Sequence, residues 1–375
     1  MPEERSRTAL VLAGGGIMGA AYEIGCLSAI DRLFTPGFNT RSFDTFIGIS
    51  AGSVIATLLA SRIPPALLYR VLARDELRVF NWRRSDIYRF DLREVLVSGR
   101  HTVRNLYRIF RHYRRNRWKL SFGDFLHILQ EQFPAGLYSL GPMENYLCRA
   151  FREEKIVDDF HSLGGKLLIP AYDLDAGERV VFGSEGFRDV HICQAITASC
   201  AIPYFFRPHK VAGRYYLDGS IGRVTHLDLA IERGARLILV INPRVPVHND
   251  PEHFCLPSMS YGQCSTIADL GITFAWEQAQ RIESKEKLNL TLENYRRTHP
   301  HVEIVLIEPG REEALLFLPG AMSNEARHQI LSYGYNLTLS QLRDRFEELS
   351  SIFGRHGIEL TERRLHLEPP ADKDP

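Results

Sequence analysis

The chain has 375 residues, 45% of them hydrophobic and 24% charged, the make-up of a globular protein able to bury a sizeable core. Its 46 Lys and Arg residues nearly cancel 45 Asp and Glu residues, so the overall charge singles out no nucleic-acid or acidic partner. No apolar run is long enough to cross a bilayer as a helix, and the scattered Cys26, Cys148, Cys193, Cys200, Cys255 and Cys264 contain no C-x-x-C pair, which argues against a zinc site and reads as reduced thiols in a cytoplasmic protein, with attachment to a membrane surface left open.

Thr8 to Ala13 reads as a first strand. Its apolar residues are not expected to form a signal peptide, because Glu3 and Glu4 spoil the basic region and glycines follow too soon. Gly14, Gly15 and Gly16 form a turn into an Ala-rich helix reaching about Phe34. Phe43 to Ile49 is a second strand, and Ala51 to Ser61 a second helix. This β-α-β-α opening predicts an α/β fold with a parallel sheet covered on both faces.

Pro64 and Pro65 break the alternation, and the chain to about Phe151 reads as a helical insert without a convincing strand. Leu167 to Leu174 and Arg179 to Phe182 read as strands joined at Asp175-Ala176-Gly177. A helix from about Val190, a short strand at Tyr215 to Leu217 and apolar segments at Leu227 to Glu232 and Leu237 to Ile241 come next. A long helical region from about Cys264, a strand at Val302 to Ile307 and a last helix from Asn324 to Leu349 follow. The expected organisation is one domain over 1–366, with 64–151 as a basic insert or lid and 367–375 as a polar tail.

Gly48-Ile49-Ser50-Ala51-Gly52 fits the G-x-S-x-G nucleophile elbow. A serine on so tight a strand-to-helix turn needs glycine on either side, here Gly48 and Gly52, and the following helix aims its N-terminal amides at the reaction centre. Gly14, Gly15 and Gly16 leave bare N–H groups that suit an oxyanion hole, with the amide of Ala51 as a further donor. Gly14-x-Gly16-x-x-Gly19 also fits a dinucleotide fingerprint, but that motif wants an acid at the far end of the second strand, and Asp44 stands at its start. Asp218-Gly219-Ser220 places a carboxylate at a strand end, where it reads either as a base or as a turn aspartate.

These blocks, with Ala198-Ser199-Cys200-Ala201-Ile202-Pro203 and the hairpin Asp173 to Glu178, resemble the patatin-like phospholipase family from about Thr8 to Ile241. The resemblance implies a three-layer α/β/α sandwich with a mainly parallel central sheet. It also implies a Ser50–Asp218 dyad without histidine, oxyanion donors at Gly14 to Gly16, and metal-free, cofactor-free hydrolysis of acyl esters in phospholipids or related lipids. Two residues depart from the family pattern: Met18 stands where Lys or Arg is usual, and Ser220 where glycine or alanine is usual. Met18 is expected to alter rate or substrate preference, Ser220 is only slightly larger than the usual residue, and neither change touches the dyad.

For such a dyad, Asp218 is expected to be buried, with its pKa raised above the usual carboxylate range. A histidine triad is the rival arrangement, with His226 the candidate to watch among His226, His248, His299 and His301. The alternative of another class is a catalytically silent relative that binds lipid or a partner through the insert. That insert carries eight Lys or Arg residues from Arg100 to Lys119. Arg104, Arg108, Arg111 and Arg115 fall opposite an apolar-aromatic face, with Trp118 beyond, a pattern that suits an anionic lipid surface. No nucleic-acid motif accompanies it.

Overall fold

Along the first strand, Leu10 and Leu12 join one buried cluster while Ala9 and Val11 join another, and all four are fully buried. The strand Leu237 to Ile241 repeats the pattern, with Leu237, Leu239 and Ile241 on one face and Ile238 and Val240 on the other. A strand apolar at every position has no solvent face, so the sheet must be covered on both sides. Each fully buried Leu or Ile side chain contributes about 1.5–3 kcal/mol.

The computed structural model describes residues 5–76, 86, 107–108, 110–115, 135–250, 264–312, 316–317 and 324–366. In chain order the elements are β1 (Thr8–Leu12), α1 (Gly16–Ile30), β2 (Thr45–Gly48), α2 (Ala51–Ala60), α3 (Pro65–Ala73), β3 (Gly136–Tyr138), α4 (Gly141–Glu153), β4 (Leu167–Asp173), β5 (Glu178–Phe182) and α5 (Ile192–Ser199). Then come β6 (Tyr204–Phe206), β7 (His209–Val211), β8 (Arg214–Leu217), α6 (Leu227–Glu232), β9 (Leu237–Ile241), α7 (Ile272–Thr298), β10 (Glu303–Ile307), α8 (Asn324–Asp344) and α9 (Phe346–Arg355).

The sheet runs β10-β9-β1-β2-β4-β8-β7, with β5 added on β4. Pairing is parallel from β10 to β4 and antiparallel beyond. β4 pairs with β2 at its start (Phe46 with Leu167) and with β8 at its end (Tyr172 with Leu217), which brings the residue after β8 towards the elbow after β2. Residues of α1, α2, α5 and α8 pack on one face of the sheet, and those of α6 and α7 on the other, giving three layers. None of the helices among the described residues is long and apolar enough to cross a membrane.

Three features differ from expectation. β3 lies within the stretch read as wholly helical and pairs with β6, and β6 and β7 were not expected. Three-residue strands are too short to print an alternating pattern. The last helix divides at Arg345. The cysteines are also not all reduced: Cys148 on α4 is bonded to Cys193 on the adjacent α5, and Cys264 is disulfide-bonded too, while Cys26 and Cys200 are free and buried. Pairing across 45 positions follows from helix packing that spacing alone does not reveal, and it removes the thiol argument for a cytoplasmic setting. The tail 367–375 lies outside the described residues.

Candidate active site

Ser50 sits between β2 and α2 with φ 51° and ψ −130°, a conformation that costs a non-glycine residue about 1–3 kcal/mol. Neighbours enforce it. Its N–H donates to Ser199 Oγ (3.0 Å), and Ser199 Oγ–H donates to the Pro170 carbonyl of β4 (2.7 Å). The glycines at −2 and +2 are required by close approach. A Cβ on Gly48 would stand 2.4 Å from Ser53 Cα, and one on Gly52 2.5 Å from the Leu12 carbonyl oxygen.

Asp218 follows β8 and is 1% exposed. Its amide donates to the Ala201 carbonyl (3.0 Å) and that of Gly219 to the Ser199 carbonyl (3.3 Å). The Ala198 to Pro203 block thus ties the elbow and the Asp218 loop together. Asp218 Oδ1 accepts from Ser220 N–H (2.8 Å), whereas Oδ2 is buried without a well-aligned hydrogen bond among the described residues. Burial pushes the Asp218 carboxyl above its usual range, partly offset by the Ser220 amide, the Ser50 and Ser220 hydroxyls, and the charge of Arg244. The Cys200 thiol also lies beside Ser50, and burial pushes it far up, so it is a neutral neighbour.

Gly14, Gly15 and Gly16 all have positive φ, at 77°, 106° and 69°. They differ in availability. Gly14 N–H donates to Glu23 Oε1 (2.8 Å), so the expectation of Gly14 as an oxyanion donor is corrected. The amides of Gly15, Gly16 and Ala51 donate no hydrogen bond to the described residues outside the helices. Those of Gly16 and Ala51 open α1 and α2, where N-terminal amides favour negative charge.

Glu23 is completely buried on α1, and its Oε2 has no partner among the described residues. Its signal in the sequence is an acid inside an otherwise apolar, small-residue helix. Burial raises its pKa well above the usual value, against the lowering effect of the Gly14 amide. A carboxyl with a raised folded-state pKa stabilises most below its unfolded pKa of about 4.3, and that stability is lost as pH rises through the folded value. Glu23→Gln is therefore expected to keep the Gly14 bond and flatten the loss of stability towards alkaline pH. Glu23→Ala, which orphans the amide, should cost about 1–3 kcal/mol plus the cavity left behind. Thermal unfolding from pH 5 to 9 checks both, and a Gln variant as weak as the Ala variant would contradict the assignment.

Ser50 and Asp218 open into one cavity of about 280 Å³. Its apolar wall includes Ile17, Met18, Ile202, Phe205, Trp276 and Phe317, and its polar members include Ser220, Arg244 and Arg281. A larger hollow of about 460 Å³ between the Gly222 to Asp228 loop and α7 contains neither residue.

His226 does not complete a triad. It is 1% exposed, burial holds its pKa down at about 4, Nε2 contacts the Gly219 carbonyl (2.8 Å) and Nδ1 faces Arg179 (3.2 Å). Both ring nitrogens are engaged, and the ring braces the loop after Asp218. Among the described residues no histidine lines the cavity. Asp44 binds Thr8 N–H (2.8 Å) and Arg5 (2.8 Å) where β1 begins, far from the glycine turn, so a dinucleotide reading lacks its acid. On the insert, Arg108, Arg111 and Arg115 are exposed, as are Tyr107 and Phe110, while Arg104 and Trp118 lie outside the described residues.

Residues 10–231 match the sequence model of the family described as patatin-like phospholipase. A protein named probable lipid hydrolase 463L, from Invertebrate iridescent virus 6, is 25% identical over 224 residues, covering 60% of this chain and 63% of that relative. Of the solved structures, VipD from Legionella pneumophila aligns with 14% identity and a TM-score of 0.36, over 91% of this chain and 67% of that one. The ExoU-SpcU complex of the Pseudomonas aeruginosa type III secretion system aligns with 20% identity and a TM-score of 0.26, over 98% and 65%. With more than half of its length matched by the family model, the chain belongs to the patatin-like phospholipase family.

Proposed function

We propose that this protein is a lipid acyl hydrolase that cleaves fatty acyl esters of phospholipids or related lipids through a Ser50–Asp218 dyad. The observation that carries the reading is a strained serine elbow and a buried, pKa-raised aspartate opening into the same largely apolar cavity. In the first step Asp218 takes the Ser50 hydroxyl proton as Ser50 Oγ attacks the ester carbonyl carbon. The amides of Gly15, Gly16 and Ala51 receive the oxyanion. Collapse of the tetrahedral intermediate breaks the bond to the alcohol oxygen, and protonated Asp218 returns the proton to that alcohol. Water, deprotonated by the same carboxylate, then attacks the acyl-serine, releasing fatty acid and restoring Ser50. A raised carboxyl pKa suits this work, because a stronger base draws the serine proton more readily.

We also assign peripheral contact with lipid. Leu137, Tyr204, Phe205 and Ile272 are exposed, and Ile272 is 87% accessible. They gather at the cavity mouth, since β3 pairs with β6, Phe205 and Trp276 line the cavity and the Tyr204 ring meets that of Trp276. The exposed Arg108, Arg111 and Arg115 would add attraction to anionic lipid.

The test is a panel of phospholipids and glycerides incubated with purified protein. Fatty acid release from at least one class is expected. Lipid binding without release from any class would overturn the hydrolase reading in favour of a silent lipid-binding relative.

A further inference from the structure

Arg244 follows β9 through Asn242 and Pro243, and its position is fixed from three sides. Its amide donates to Asn242 Oδ1 (3.2 Å), and Asn242 Nδ2 donates to Glu308 (2.7 Å). Its aliphatic stem lies over the glycine turn, where a Cβ on Gly15 would meet Arg244 Cγ at 3.3 Å. Its Nη1 donates to Ser220 Oγ (3.2 Å), whose own hydroxyl bears on Asp218. The guanidinium thus lines the cavity beside Ser50 and Asp218.

Among the described residues Arg244 forms no ion pair. Arg281, in the same wall, is fully engaged: it binds Glu277 (2.9 Å), the Val245 carbonyl (3.1 Å) and the Leu316 carbonyl (2.5 Å). The cavity therefore holds one cation committed to the fold, paired with Glu277 of the same wall, and one with donors to spare, beside the apolar side chains.

We infer that Arg244, steadied by Ser220, is the specificity-determining residue of this site and reads a phosphate carried by the lipid next to the scissile ester. This rests on the hydrolase reading above. A guanidinium fork matches phosphate oxygens in a bidentate manner, and such charge-assisted bonds are the strong ones. In a glycerophospholipid the phosphate lies a few bonds from the ester, within reach of a cation on the oxyanion side while the acyl chain follows the apolar wall. A neutral glyceride offers Arg244 nothing and leaves its charge partly desolvated. Ser220 then has a use for its hydroxyl, which glycine or alanine at that position could not supply.

The test compares 1-acyl-glycerol-3-phosphate with the 1-acylglycerol of the same chain, substrates that differ only in the phosphate. Wild-type protein should show the higher kcat/KM on the phosphate ester. In Arg244→Gln the ratio of the two kcat/KM values should fall about 10- to 100-fold, chiefly through KM for the phosphate ester. Arg244→Lys should recover part of the ratio, and Ser220→Ala should lose part of it. The acidic limb of the pH profile should move upward in Arg244→Gln, because Asp218 loses a nearby cation; a merely structural role would not move it. Both substrates turned over with an unchanged ratio in Arg244→Gln would overturn this inference alone. Turnover of neither by the wild type would overturn this inference, while the hydrolase reading stands or falls with the wider lipid panel.

Discussion

Ser50→Ala is expected to lower fatty acid release on the order of 10^4-fold or more while leaving the fold in place. The variant removes only the hydroxyl oxygen. The backbone bond from residue 50 to Ser199, the packing of Gly48 and Gly52 and the helix start at Ala51 all persist. Alanine at φ 51° bears much the same strain as serine, so the unfolding temperature should stay close to wild type. The check is an assay on the best substrate of the panel together with thermal unfolding. Activity within tenfold of wild type would place the nucleophile elsewhere.

Asp218→Asn should move activity and stability in opposite directions. The amide keeps an oxygen for the Ser220 N–H but cannot take the serine proton, so the rate should fall about 10^2- to 10^4-fold. Stability follows from the raised carboxyl pKa. The protonated form is favoured in the folded state, so this group's contribution is fully present below an unfolded pKa of about 3.9 and is lost as pH rises through the folded value. At neutral pH a carboxylate buried this deeply, with no well-aligned bond to Oδ2 among the described residues, weakens the fold, and the neutral asparagine avoids that cost. The variant should therefore unfold at the same temperature as wild type or higher at pH 7, with the gap widening towards alkaline pH. Loss of stability together with loss of activity would make Asp218 a structural residue.

Much of this architecture could be read from short stretches of sequence. β1 and β9 are apolar at every position, which demands a sheet covered on both faces. The elbow is legible because its steric demand is local, falling within two residues of Ser50. What could not be read depends on contacts distant in sequence. Ser199 meets Ser50 from 149 positions away, and Arg244 meets Ser220 across a strand and a helix. His226 has the right chemistry on paper, but burial and two hydrogen-bonding neighbours turn it into a brace. The Cys148–Cys193 pairing depends on α4 lying against α5. The aromatic rim at the cavity mouth rests on strands of three residues, below the length at which alternation can be seen.

The central claim is that Ser50 is made nucleophilic by Asp218 with no histidine between them. Reaction with a fluorophosphonate probe, followed by peptide mapping in a mass spectrometer, tests it most directly. The account predicts an adduct on Ser50 that forms at least about 100-fold more slowly in Asp218→Asn. An adduct on another residue, or unchanged labelling of Ser50 in Asp218→Asn, would contradict it.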